Sequence, residues 1–130
     1  MDDLLHVARR MMLHAHAPYS KFHVGAAVRG EDGSIHGGCN VENSAYPQGL
    51  CAEASAIAAL VSAGCKRILE CVVIGPGPEV ITPCGGCRQK LREFGAPDTP
   101  VLVADRQQLR ARFTLGELLP DSFGPDHLKP

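Results

Sequence analysis

The chain predicts an α/β fold, a three-layer α/β/α sandwich around a mixed five-stranded sheet, on two observations. Short apolar runs of strand type alternate with helix-length segments, an order that lays helices on the faces of a sheet. One helical segment, Cys51–Ala63, is rich in Ala and Leu and apolar nearly all round. Such a helix has to be buried, against a sheet or a partner subunit. At 130 residues and 45% hydrophobic content, a single domain over 1–130 can fill a core. There is no internal repeat, low-complexity tract or linker.

Asp2 or Asp3 can cap a first helix with Leu4 or Leu5, Ala8, Met11 or Met12 and Ala15 on one face, and Pro18 is expected to stop it. The alternation in Val24–Val28 reads as a strand. Glu31-Asp32-Gly33-Ser34 then turns the chain back into a second strand, Ile35 to Asn40. Residues 41–50, which include Pro47 and Gly49, read as a loop delivering Cys51. The helix from Cys51 ends at Gly64, and Leu69–Ile74 is a short strand broken by Gly75-Pro76-Gly77-Pro78. The loop to Pro83 introduces a second helix at about Cys84–Phe94. Pro100–Ala104 and Arg110–Leu115 complete the sheet, with a turn of helix at Gly116–Leu119. Residues 120–130 hold three prolines and few apolar groups; alone they would fray unless a partner surface holds them.

A formal net charge of −1 lacks the basic surplus of a nucleic-acid binder. Aromatics at 5% and the absence of Trp argue against base-stacking platforms. Arg106, Arg110 and Arg112 read as a solvated face. No apolar run approaches a membrane span, and Met1-Asp2-Asp3 does not resemble the start of a secretion signal. The expected compartment is therefore the cytoplasm, where six cysteines serve better as metal ligands and buried thiols than as a disulfide framework.

Cys51-Ala52-Glu53 and Pro83-Cys84-Gly85-Gly86-Cys87 are the stretches that carry chemistry. A Cys-x-x-Cys pair at a helix start can grip one Zn²⁺ with both sulfurs, and Cys51 at a second helix start leaves the fourth tetrahedral position free for water. Glu53 is placed to move protons there. Helix N-termini favour negative charge, which is expected to lower the thiol pKa values. Three thiolates leave the metal shell negative, so a cation or N–H donors should drain charge from sulfur, and Arg88, beside Cys87, is the nearest candidate. Two other readings stand beside this one. A closed zinc site would take Cys39, Cys65, Cys71 or a histidine as fourth ligand. A redox dithiol at Cys84 and Cys87 would leave Cys51 and Glu53 unused. His14, His16 and His23 read as helix-end and surface histidines.

Together with Pro18–Ala27 and Gly38-Cys39-Asn40-Val41-Glu42-Asn43, and with Pro83-Cys84-Gly85-Gly86-Cys87-Arg88-Gln89, these motifs resemble the cytidine deaminases of the short homotetrameric type. The resemblance covers the chain from Ala17 to Pro120. It implies the deaminase fold and a zinc-activated water held by Cys51, Cys84 and Cys87, with Glu53 as proton shuttle. The implied reaction takes free cytidine and 2′-deoxycytidine to uridine and 2′-deoxyuridine plus ammonia, in pyrimidine salvage. By the same resemblance Asn40 and Glu42 hold the ribose 3′-hydroxyl, Phe22 lies against the nucleoside and the Ala52 N–H contacts the base. Tyr46 sits near a subunit interface, and Phe123 closes a neighbouring subunit's site in a homotetramer. A nucleoside substrate with a free 3′-hydroxyl, no nucleic-acid polymer and no membrane are the implied partners. Many tetrameric members follow Cys-Ala-Glu with an arginine, where this chain has Ala54, and Pro47-Gln48-Gly49 is unusual for the family. Deamination of another aminated nucleoside, of the blasticidin kind, and a non-catalytic zinc-stabilised module remain the alternatives.

Overall fold

The computed structural model describes residues 2–129. Five strands, β1 (Gly25–Gly30), β2 (Ile35–Cys39), β3 (Ile68–Ile74), β4 (Pro100–Ala104) and β5 (Leu109–Thr114), form one sheet in the order β2-β1-β3-β4-β5. Only β3 and β4 run parallel; every other pairing is antiparallel. The single parallel step needs a crossover, and helix α3 (Gly85–Phe94) supplies it between β3 and β4. Helices α1 (Asp2–Met12), α2 (Ala52–Ser62) and the short α4 (Leu115–Leu118) complete the main elements. No helix among the described residues is long and apolar enough to cross a membrane.

The pleat divides the core in two. Leu4, Ala8 and Met12 of α1 pack on Ala27, Val72, Ile74, Leu102 and Ala104 on one face. On the other face Ala52, Ala56, Ile57 and Leu60 of α2, with Leu91 of α3, cover Ala26, Val28, Cys71, Val73 and Val101. Neighbours along each strand alternate between the two clusters, as a period of two requires. The three layers of the sequence reading are thus present, with α2 and α3 sharing one face.

Two glycines set how closely the helices approach. A Cβ at Gly25 would stand 2.1 Å from the Ala8 carbonyl oxygen, and one at Gly38 would stand 2.4 Å from the Ala56 nitrogen. The bare backbone of β2 therefore lets α2 descend onto the sheet and fixes the depth of its N-terminus.

Three expectations need correction. The first helix ends at Met12, not at Pro18. Beyond Met12, Leu13 and His14 are exposed, the amide bonds tighten to i→i−3, and His16 becomes extended in a bridge with Val41. Tertiary pairing ends this helix before proline can. The 41–50 loop contains a 3₁₀ turn at Tyr46–Gln48, with Pro47 within its first positions. The tail is held by its own chain: Arg92 of α3 bonds the Ser122 hydroxyl at 2.9 Å and Asp126 at 2.7 Å, and Gln89 donates to the Phe123 carbonyl. A 3₁₀ turn then closes Pro125–Leu128. Elsewhere the boundaries move by one residue or two. The α4 start is fixed by a capping box between Thr114 and Glu117.

Candidate metal centre and substrate cleft

Cys51 and Cys84 are the N-cap residues of α2 and α3, both in extended backbone (φ −75°, ψ 156° and φ −64°, ψ 166°). Neither side chain caps its own helix, so the sulfurs are left to face one another, 3.9 Å apart. Cys87, buried in the first turn of α3, joins them, and the three sulfur atoms all lie within 4.8 Å of one another. All three are free thiols. Bonds of about 2.3 Å to one tetrahedral zinc put two sulfurs about 3.8 Å apart. A disulfide would need about 2 Å. The donor set and spacing fit zinc.

The remaining cysteines stand elsewhere. Cys65 lies against Ser34 and Asp32, Cys71 is buried in β3, and Cys39 ends β2. Among the described residues no fourth histidine, cysteine or carboxylate joins the cluster. A closed site built on those residues therefore lacks its ligand. A dithiol reading of Cys84 and Cys87 omits the sulfur of Cys51, which touches Cys84.

The thiols do not titrate alike. Cys84 is lowered, chiefly because the Cys87 N–H donates to its sulfur. Desolvation pushes Cys51 up, and Cys87 still further, with Glu53 and the neighbouring sulfurs adding to the rise at Cys87. A uniform lowering at helix N-termini is thus corrected: in the metal-free chain, burial outweighs the helix dipole at two of the three. A divalent cation reverses that balance when it displaces the protons.

Glu53, in the first turn of α2, is only 5% exposed. Burial raises its pKa, opposed by its own backbone N–H and by the charge of Lys90. Its negative charge in turn raises all three ligand thiols, which places it electrostatically within the cluster. A carboxyl held towards its neutral form beside such a site is suited to exchanging protons.

A cleft of about 470 Å³ opens above this floor. Phe22, Asn40, Glu42, Tyr46, Ala52, Glu53, Cys51 and Cys84 all line it, while Cys87 lies beneath. The Asn40 amide clamps the wall, accepting from the Val24 N–H at 2.9 Å and donating to the Phe22 carbonyl at 2.8 Å. Glu42 accepts from the Tyr19 and Ser20 N–H groups and from the Ser20 hydroxyl; that hydroxyl is the largest cause of its lowered pKa. By count each side chain keeps bonding capacity: one N–H and one lone pair on Asn40, one lone pair on Glu42.

Two sequence-predicted residues lie outside the cleft. Phe123 is 57% exposed on the tail, stacked on His127. Arg88 spends its guanidinium on oxygens: the Pro83 carbonyl (2.7 Å), the Leu118 carbonyl (2.8 Å) and the Thr82 hydroxyl (2.8 Å). None of these bonds goes to sulfur. Arg88 ties the peptide just before Cys84 to the end of α4, and so positions the ligand loop instead of contacting the ligands. Ser20, Val24, Val73, Ile81 and Thr82 also line the cleft and were not singled out from the sequence. Thr82 had a signal, a hydroxyl directly preceding Pro83-Cys84. The apolar members had none.

The comparisons with known proteins agree with this geometry. Residues 1–103 match the family model described as the cytidine and deoxycytidylate deaminase zinc-binding region. The cytidine deaminase of Sporosarcina psychrophila is 37% identical over 98% of this chain and 94% of its own length. That of Mycobacterium tuberculosis is 45% identical over 88% of this chain and 82% of its own. Among solved structures, cytidine deaminase from Burkholderia pseudomallei superposes with a TM-score of 0.87 at 38% identity, covering 94% of this chain and 98% of that one. A structure of the Mycobacterium tuberculosis enzyme gives 0.79 at 41%, covering 95% and 96%. With the fold, the three-sulfur centre and the sequence all matched over most of their length, the chain belongs to the zinc-binding cytidine and deoxycytidylate deaminase family.

Proposed function

We propose that this chain hydrolyses free cytidine and 2′-deoxycytidine to uridine and 2′-deoxyuridine with release of ammonia. The observation that carries the reading is a buried carboxyl, Glu53, set beside three converging sulfurs at the floor of a nucleoside-sized cleft. Cys51, Cys84 and Cys87 would hold Zn²⁺, which when bound supplies the Lewis acidity that makes water nucleophilic near neutral pH.

Glu53 performs the proton transfers. It takes a proton from the attacking water, delivers it to N3 of the pyrimidine as the C4–O bond forms, and carries the second to the departing amine as the C4–N bond breaks. Such general acid–base help is worth roughly 10²–10⁴-fold. The raised pKa of Glu53 suits both directions, since its protonated form is accessible after the first step. Asn40 and Glu42 meet the ribose hydroxyl with their remaining capacity. An ionised Glu42 would repel a 3′-phosphate, which favours a free nucleoside over a polynucleotide. Phe22 supplies an apolar wall and the Ala52 N–H a donor to the base.

The same reading has the chain working as a homotetramer in the cytoplasm, in pyrimidine salvage. The exposed Phe123, presented on a tail that α3 holds firmly, would close the cleft of a second copy, and Tyr46 would lie near that contact.

The test pairs loss of the cytidine absorbance band with ammonia release, across cytidine, deoxycytidine and a blasticidin-type nucleoside. Glu53→Gln should keep folding and zinc while turnover collapses. Full turnover in that variant refutes the proton role. Silence with cytidine but turnover of the analogue transfers the chemistry to the other substrate. Phe123→Ala in an intact oligomer should raise KM.

A further inference from the structure

Three thiolates on a divalent metal leave net negative charge, and Glu53 deepens it when ionised. Something must offset that charge, and the two arginines of α3 are committed elsewhere: Arg88 to three oxygens, Arg92 to Ser122 and Asp126. Lys90 is the third cation of this helix. A side chain in a helix leans towards the N-terminus, over the residue four positions earlier. Lys90 does so fully: a Cβ built on Gly86 would meet its Nζ at 3.7 Å, the nearest atom of any kind, while one on Gly85 would meet nothing within 4 Å. The ammonium therefore rests over the bare first turn of α3, between the N-cap Cys84 and Cys87.

That position is electrostatically wrong for a cation unless something compensates. The first turn of a helix carries the positive end of its dipole, and a lysine there is repelled by it. Among the described residues no carboxylate forms an ion pair with Lys90 to draw it in. What lies at that helix tip is the sulfur cluster. The attraction reaches beyond the helix, because Lys90 also favours the ionised form of Glu53.

We propose that Lys90 is the charge-compensating residue of the metal centre, its ammonium lying over Gly86 to offset the thiolates of Cys51, Cys84 and Cys87. This rests on the reading of those cysteines as the zinc ligands. Lys90 positions charge and touches no substrate. The two glycines between the ligand cysteines acquire a purpose, since their bare backbone leaves room for the ammonium to settle. In this chain Ala54 offers no charge from α2, and the cation arrives instead from the second turn of α3.

The test is zinc affinity, measured by competition with a chromophoric chelator on wild type, Lys90→Gln, Lys90→Arg and Lys90→Glu at low salt and at 1 M salt. Lys90 is exposed, so these variants should fold. Lys90→Gln should weaken zinc by about threefold to tenfold at low salt, less than the 10–100-fold of a direct hydrogen-bonding partner. Lys90→Glu should weaken it further, Lys90→Arg should retain it, and the differences should shrink at high salt as charge is screened. Equal affinity in wild type, Lys90→Gln and Lys90→Glu at low salt overturns the proposal. So does a loss that salt leaves untouched or that Lys90→Arg fails to restore. The underlying site reading fails separately, and takes the proposal with it, if wild type binds no zinc or if Cys87→Ser binds it undiminished.

Discussion

The two helices that meet at the metal centre are held in place by opposite means. Helix α2 is fixed by apolar contact: Ala52, Ala56, Ile57 and Leu60 are buried, and Gly38 lets its backbone lie almost directly on β2. Helix α3 buries only Cys87 and Leu91 and is fixed by polar ties from its flanks, through Arg88, Gln89 and Arg92. Both present an N-cap cysteine in the same extended conformation. Identical terminal geometry can therefore rest on packing in one case and on hydrogen bonds in the other. The acid is carried by the packed helix and the Cys-x-x-Cys pair by the tied one.

The largest effect should come from disturbing the packing. In Gly38→Ala the new Cβ would lie 2.4 Å from the Ala56 nitrogen and 2.8 Å from the Ala52 carbonyl oxygen, backbone atoms that cannot swing aside. A loss of about 2–4 kcal/mol in urea unfolding is expected, with zinc stoichiometry falling below one per chain. An unchanged midpoint would show that α2 is not seated by that approach.

Cutting the ties of α3 should cost less stability but still harm the metal. Arg88→Ala leaves the Pro83 and Leu118 carbonyls without their donors, about 1–3 kcal/mol. Zinc affinity should drop about tenfold or more through misplacement of Cys84. Arg88→Lys should not restore it, because one ammonium cannot reproduce a planar three-way fork. Recovery in the lysine variant would mean that charge, and not geometry, is what Arg88 contributes.

A smaller effect, of opposite sign, is expected at Glu53. Its folded pKa is raised, so the ionised form is disfavoured by folding once the pH climbs above the ordinary value of 4.5 and through the folded pKa. Glu53→Gln removes that cost, and the metal-free variant should melt about 3 °C above metal-free wild type near neutral pH. The gain should vanish below the ordinary carboxylate range, where both are neutral. A lower melting temperature at pH 7 would contradict the burial argument.

The smallest effect concerns the tail. Asp126 is held below its ordinary value, chiefly by its hydrogen bond from Arg92. Its contribution is present above 3.8 and is lost as pH falls through the depressed folded pKa. Amides of residues 122–128 should exchange faster in acid while the sheet stays protected, and Asp126→Asn should remove that pH dependence.

Much of this was legible in the sequence because it is periodic or local. The strands, the buried α2 and the two Cys-bearing helix starts follow from alternation, apolar content and Gly/Pro punctuation. The cleft lining was legible where a motif carried it, as at Asn40, Glu42 and Glu53. What escaped depended on long-range contact. The early end of α1 follows from pairing between His16 and Val41, the ordered tail from arginine bonds across 30 residues or more, and the apolar wall at Val73 and Ile81 from pairing and loop placement. The thiol behaviour escaped too, because helix position is local whereas desolvation is set by everything packed around it.

The docking of the tail on α3 carries a consequence of its own. The rod that bears two of the three sulfurs at its tip also clasps, along its side, the strap that displays Phe123. Clipping that strap would take away an aromatic ring and, with it, a brace on the ligand pair. Shortened chains should accordingly shed their metal more readily, even where the missing residues never come near it.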